Sequence, residues 1–161
     1  MIDPAPYKVG DKVVMLASFI EPIMLNGAFQ GIVGADLSVN FIQDMLLAAN
    51  QKLYSGAGQM ALIGGNGRIV AYTQDPSKFG EKVSDILDAE QIANMANLKR
   101  GEVTYSVNKD KGRIELYLPF GIGQTDARWT LMLQLPLNAV MADLQKLQAD
   151  NMVTKEFFTV P

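Results

Sequence analysis

The sequence predicts an α+β fold: a five-stranded antiparallel sheet with flanking helices, plus a partial second unit at the N-terminus. Three observations predict it. Connections with hairpin chemistry recur at Asn26-Gly27, Gly65-Asn66-Gly67 and Asn108–Gly112, so neighbouring strands run antiparallel. Apolar residues return at helical spacing after residue 39, after residue 80 and after Pro136. Strand pairs divided by helices that cover one face make α+β rather than a parallel sheet.

The elements follow in order. The first dozen residues carry Pro4, Pro6 and Gly10 and read as an irregular segment with a turn near Gly10–Asp11. Lys12 to Leu25 is rich in Val, Ile, Met and Phe and reads as a long strand. Pro22 inside it calls for an edge, a bulge or a bend. Asn26-Gly27 tolerates the positive φ of a type I′ turn, and a second arm runs from Ala28 to about Asp36. Asn40 with Gln43 outlines an N-cap box. Ile42, Met45, Leu46, Ala49 and Leu53 then line one helical face, and the helix should end near Leu53–Tyr54.

Short strands follow at Gln59–Gly64 and Arg68–Thr73, then a loop at Gln74–Gly80. Helical spacing runs from about Glu81 to Leu98, with a break near Asp88. Glu102–Val107, Arg113–Ile122 and Arg128–Leu135 complete the five strands. Trp129 alternates with Leu131 and Leu133 and reads as core. Pro136 precedes an amphipathic helix with Leu137, Val140, Met141, Leu144 and Leu147 on one stripe. The tail from Asn151 to Pro161 fits no element.

Composition limits the function. A chain of 161 residues buries roughly 70% of its unfolded surface and needs neither metal nor disulfide to fold. Net charge is −3 with both signs interspersed, so no basic stripe invites nucleic acid. There is no His and no Cys, which excludes His-based triads, Cys nucleophiles and thiolate or imidazole zinc sites. A hydrolase here would need paired carboxylates, a Lys or a metal bound only by oxygens. No stretch reaches the roughly 18 apolar residues of a membrane span, and no signal peptide is visible after Met1. The anchors of a membrane-bound parent would lie outside this chain. Zero Cys suits a reducing cytosol and an export route alike.

Individual residues carry rival readings. Asp36 ends a strand just before a helix, where it serves either as a structural cap or as a carboxylate facing a partly desolvated pocket for a cation. Ser55-Gly56-Ala57-Gly58 loosely matches a dinucleotide fingerprint but precedes a strand instead of opening a helix, so it is discarded. Lys109–Gly112 reads as a solvated hairpin tip, and Asp85 and Asp88 as solvent-facing helix positions.

The order of phrases carries a family resemblance. Strand, Asn-Gly turn and GIVGADLSV lead to a connecting helix, then to GQMALIGGNGRIVAYTQDPSKFGEKVSDIL, RWTLMLQLP and a departing helix. This resembles the double Cache sensor module of bacterial methyl-accepting chemotaxis proteins, which also occurs on sensor kinases and diguanylate cyclases. The likeness covers about residues 5–150 and only the C-terminal part of the module.

The resemblance implies a PAS-like fold. Residues 1–39 would be the last strands of a truncated membrane-distal unit and 40–54 a connecting helix. Residues 55–136 would be the membrane-proximal PAS-like unit, 137–150 an output helix toward a transmembrane segment, and 151–161 a tail. It implies a ligand-binding pair at Tyr7 and Asp36, because Gly34-Ala35-Asp36 matches the phrase whose Asp holds a ligand ammonium. Val9 stands where the family's second amine-binding Asp is expected, which departs from the pattern. Arg68 and Tyr72 would line a second, small pocket; the family usually has a His where Tyr72 stands, and core packing is the competing reading.

The implied function is a non-catalytic, extracytoplasmic ligand-sensing domain of a bacterial inner-membrane receptor. It would bind an amine, amino acid or organic acid, use no cofactor and no metal, and act as a homodimer in the full-length receptor. Alternatives are the sensor of a histidine kinase or diguanylate cyclase, and a cytosolic PAS-like domain of a small enzyme. A third is an interaction domain whose Lys12–Leu25 strand pairs with a partner's edge.

Overall fold

A computed structural model describes residues 1–142 and 145. Two antiparallel sheets follow one another along the chain, a three-stranded one of order β1-β2-β3 and a five-stranded one of order β5-β4-β8-β7-β6. Residues 143, 144 and 146–161, including the Leu144 and Leu147 positions of the expected stripe and the tail, lie outside the described residues.

The first sheet comprises β1 (Ile2–Val9), β2 (Lys12–Leu25) and β3 (Ala28–Ser38). The first residues are thus a strand and not the irregular segment their prolines suggest. The reason is positional: β1 is an edge strand, where a missing N–H is tolerated, and its register shifts between Ile2 and Ala5, around Pro4. Pro22 is accommodated in the same way, because β1 pairs with β2 only as far as Ser18 and leaves that side of Pro22 unpaired. Asn26 (φ 51°) and Gly27 (φ 77°) both take positive φ, as a type I′ turn demands.

Helix α1 (Phe41–Lys52) crosses to the second sheet. The N-cap box does not form: Asn40 is helical and its Oδ1 accepts the Met15 amide at 3.1 Å. Gln43 instead reaches β5. Its Nε2 donates to the Tyr72 carbonyl at 3.0 Å and its Oε1 accepts from the Tyr72 amide at 2.8 Å. This side chain imitates a neighbouring strand on the free edge of the sheet. On the predicted stripe Leu46 is buried and Ile42, Ala49 and Leu53 are half-buried, but Met45 is 57% exposed.

The second sheet contains β4 (Gln59–Ile63), β5 (Ile69–Tyr72), β6 (Thr104–Asn108), β7 (Arg113–Gly121) and β8 (Arg128–Pro136). The helical insertion after β5 is a 3₁₀ turn at Val83–Asp85 followed by α2 (Ala89–Ala96). Asp88 is therefore a helix cap and not a mid-helix surface residue. A helical segment begins at residue 137.

Each face of the five-stranded sheet has its own core. On one face Met60, Leu62, Val70, Ala71 and Trp129 pack with Leu46 of α1 and with Met15, Ala17 and Val39 from the first sheet and its exit. On the other, Ala61, Ile63, Tyr117 and Met132 pack with Leu87 and Leu98 around α2. The alternation along β4 and β8 produces this division. Polar bonds also tie β1 to the second sheet: Trp129 Nε1–H donates to Asp3 Oδ1 at 3.1 Å, and Asn66 Nδ2 in the β4–β5 turn donates to the Pro4 carbonyl at 3.3 Å. Burying a large apolar side chain is worth about 2 kcal/mol, against about 1 kcal/mol for such a hydrogen bond. Docking of the two sheets is therefore mainly hydrophobic.

The outer half of the β2–β3 hairpin is different. Leu25 (61%), Phe29 (63%), Ile32 (62%) and Val33 (59%) are open to solvent. Among the described residues this arm has only two strands beyond Ser18, and neither of its outer edges is paired.

Candidate functional site

The first sheet presents two faces. Met15 and Ala17 point into the shared core, so the alternate positions Val14, Leu16 and Ser18 point away from it. Tyr7 stands opposite Val14 and Asp36 opposite Ser18, which puts both on this outward face. They are not in contact. At ordinary strand spacings they lie about 13 Å apart along the strands and about 10 Å apart across them.

Asp36 is exposed and oriented: Ser18 Oγ–H donates to its Oδ1 at 2.6 Å. It caps no helix, since the four residues Leu37 to Asn40 intervene before Phe41. Tyr7 is 44% exposed. A cavity of about 420 Å³ lies beside β3; Phe19, Glu21, Val33 and Ala35 of its lining stand on the opposite face from Asp36, Ile20 and Gly34 stand on the same face, and Asp36 itself does not line it.

Arg68 and Tyr72 lie near opposite ends of the edge strand β5 and do not converge. The Arg68 guanidinium donates to the Gly80 carbonyl at 2.6 Å and ties down the 74–80 loop. Tyr72 Oη–H donates to Gln59 Oε1 at 3.1 Å. Burial, and then the nearby Asp75 carboxylate, push the Tyr72 phenol up. A cavity of about 250 Å³ sits at the junction of β2, α1 and the 76–79 turn, lined by Val13, Asn40, Gln43, Asp44, Val70 and Phe79. Neither Arg68 nor Tyr72 lines it. Among the described residues no three acidic side chains gather as a metal site.

The most extensive polar constellation was not singled out from the sequence. Glu115 is 3% exposed, under α2. Its Oε1 accepts from Arg113 Nε at 2.5 Å and from Gln91 Nε2 at 3.0 Å, and its Oε2 accepts from Tyr117 Oη at 3.0 Å. Gln91 also closes a capping box with Asp88. Asp88 Oδ2 in turn takes Lys111 Nζ at 2.7 Å and lies 3.5 Å from Arg113. The hairpin tip is thus a clamp on the start of α2 and not simply solvated. The signal was legible as Asp88-x-x-Gln91, a capping box, and as the alternation Arg113-x-Glu115-x-Tyr117 on one strand face.

The charges of this clamp shape its pH response. Hydrogen bonding to Lys111, then to the Gln91 amide, holds the Asp88 carboxyl below its ordinary value. The same bond to Asp88 raises Lys111. A lowered acid stabilises the fold above its unfolded pKa and loses that contribution as pH falls through the folded one. A raised base contributes below its unfolded pKa and loses it as pH rises through the folded one. Urea unfolding at stepped pH should therefore show a gap between the native chain and Asp88→Asn that is constant around neutrality. The gap should shrink in acid below the usual carboxylate range. A gap that persists undiminished there would show that the carboxylate's pairing with Lys111 and Arg113 is not its source.

No helix among the described residues is long and apolar enough to cross a membrane. No family model matches the chain. The methyl-accepting chemotaxis protein TlpQ of Pseudomonas aeruginosa is 22% identical over 141 residues, which is 88% of this chain and 20% of TlpQ. The periplasmic sensory domain of the Campylobacter jejuni chemoreceptor Tlp1 superposes with a TM-score of 0.66 at 16% identity, covering 86% of this chain and 49% of that one. The extracellular domain of the histidine kinase mmHK1S-Z3 gives 0.60 at 19% identity, covering 91% and 52%. The ligand-binding domain of the Pseudomonas aeruginosa amino-acid chemoreceptor PctC, in complex with GABA, gives 0.58 at 16% identity, covering 83% and 55%. The chain has the Cache-like α+β fold of these sensor domains, and it spans about half the length of each solved domain.

Proposed function

We propose that this chain is part of the extracytoplasmic ligand-sensing domain of a membrane-anchored chemoreceptor, with no catalytic role of its own. The observation that carries the reading is the superposition on the Tlp1 sensory domain over 86% of the chain. In this reading residues 1–39 belong to a membrane-distal unit, 55–136 form the membrane-proximal one, and 137–150 lead toward a transmembrane segment. The exposed apolar arm of β2 and β3 supports the first assignment, because a two-stranded hairpin is at best marginally stable alone in water. It is the kind of surface that further strands of a larger unit would cover. The parent receptor would act as a homodimer in the inner membrane.

Asp36 is the residue we assign to ligand. Ser18 fixes one carboxylate oxygen and leaves the other to accept from an ammonium group, a charge-assisted bond. PctC binds GABA, an amine-bearing acid, which suits the same class of ligand here. Tyr7 shares the face but lies too far off to touch one small molecule together with Asp36; it would border the site from the far side. A second, small pocket at Arg68 and Tyr72 would need both to give up their present partners.

A thermal-shift screen of the chain against amino acids, amines and carboxylates tests the reading. An amine-bearing compound should raise the melting temperature, and Asp36→Asn should abolish the rise. A rise that survives Asp36→Asn would remove Asp36 from the site. The absence of any rise across all three classes would overturn ligand sensing by this chain. A second reading, the sensor of a histidine kinase, is favoured by the 91% coverage of the mmHK1S-Z3 match. It predicts the same ligand chemistry with a different output module.

A further inference from the structure

The β6–β7 hairpin tip touches two elements at once. On one side Lys111 and Arg113 hold Asp88 at the start of α2, and Arg113 also holds the buried Glu115, which accepts from Gln91 of α2. On the other side the Gly112 carbonyl accepts the Leu137 amide at 2.7 Å. That bond extends the β7–β8 ladder, in which Arg113 faces Pro136, by one step to the point where strand becomes helix. The first amides of a helix lack internal partners, so Gly112 satisfies one of the orphan donors of the segment starting at 137. Gly112 sits at φ 60°, a conformation that suits glycine and turns its carbonyl out of the hairpin.

We propose that this tip is a coupling joint: the ionic clamp on α2 positions the Gly112 carbonyl, and the carbonyl in turn sets the first turn of the C-terminal helix. The joint deepens the sensor reading by naming the route by which a displacement over the proximal sheet leaves the domain. Lys111, Arg113, Glu115 and Asp88 act as positioning residues, since among the described residues their side chains bond to one another and to α2 and its cap, and the Gly112 carbonyl is what meets Leu137. Their charges sum to zero, and both Lys111 and Arg113 are already paired with carboxylates, which argues for a mechanical role over the binding of an anionic ligand.

A double-mutant cycle read by amide hydrogen exchange tests the joint on the full chain. Asp88→Asn keeps a good cap for α2 but removes the charge that draws Lys111 and Arg113. Leu137→Pro deletes the N–H that Gly112 accepts, at a helix position where proline is tolerated, and Leu137→Ala, which keeps the N–H, is the control for the half-buried side chain. Asp88→Asn should speed exchange at Val140 and Met141 about tenfold, and adding it to Leu137→Pro should bring no further increase. Glu115→Gln gives a second, independent perturbation from the buried end and should act in the same direction. Strictly additive effects would overturn the proposal. So would unchanged exchange at Val140 and Met141 while the tip itself loosens. Either result leaves ligand binding at Asp36 intact, so failure of the joint and failure of the sensor reading are separable.

Discussion

Trp129→Ala should cost about 3–5 kcal/mol in unfolding free energy, the usual range for emptying a buried aromatic site. The indole is 5% exposed and lies in the core shared by α1, the first sheet and one face of the second. Removing it opens a cavity at the place where the two sheets meet and deletes the donor to Asp3. Since ordinary domains are stable by only about 5–15 kcal/mol, the variant should unfold at a markedly lower urea concentration. Asp3→Asn is the matched control. It keeps an acceptor oxygen and should cost no more than about 1 kcal/mol. If the Asp3 variant were the more damaging of the two, the sheets would be held by the polar link, and the hydrophobic account of their docking would be wrong.

Glu115→Ala should be the next most costly change, at about 3 kcal/mol, because it removes one partner from a buried charged network. The Gln91 amide and the Tyr117 hydroxyl would each lose a buried acceptor. Arg113 keeps a quarter of its side chain in water, which softens its share of the loss. Burial, and then the carboxylate of Glu115, push the Tyr117 phenol above its ordinary value. Spectrophotometric titration of the variant should therefore find Tyr117 ionising at lower pH than in the native chain. Tyr117→Phe, which leaves Glu115 with two other donors, should cost about 1 kcal/mol. A Glu115→Ala loss as small as that of Tyr117→Phe would mean that water or a rearranged Arg113 replaces the carboxylate.

Much of this architecture is readable from local chemistry. Asn26-Gly27 specifies its own turn, because few other residue pairs accept positive φ at both positions. Near-continuous apolar runs in 59–63 and 128–136 specify strands buried on both faces. Trp129 belongs to the core for the same reason. Errors arose where a residue had two uses. Asn40 and Gln43 have the spacing of a cap box, but each forms its bonds with a strand remote in sequence. Pro4 and Pro6 look like strand breakers until β1 is known to be an edge. Met45 lies on the right helical stripe but beyond the reach of the core.

The candidate site divides along the same line. Sequence alone determined that no His or Cys chemistry operates here, that the fold is α+β, and that Asp36 stands at the end of a strand before a helix. Those are properties of composition and of neighbours along the chain. Only the tertiary structure decided that Asp36 is oriented by Ser18 and separated from Tyr7, that Arg68 and Tyr72 face different partners, and that Asp88, Glu115 and Leu137 meet around one hairpin tip. Each of these depends on strand register and packing between residues 12 or more positions apart. A pairing energy of that kind is a property of two distant stretches together, and neither stretch carries it by itself.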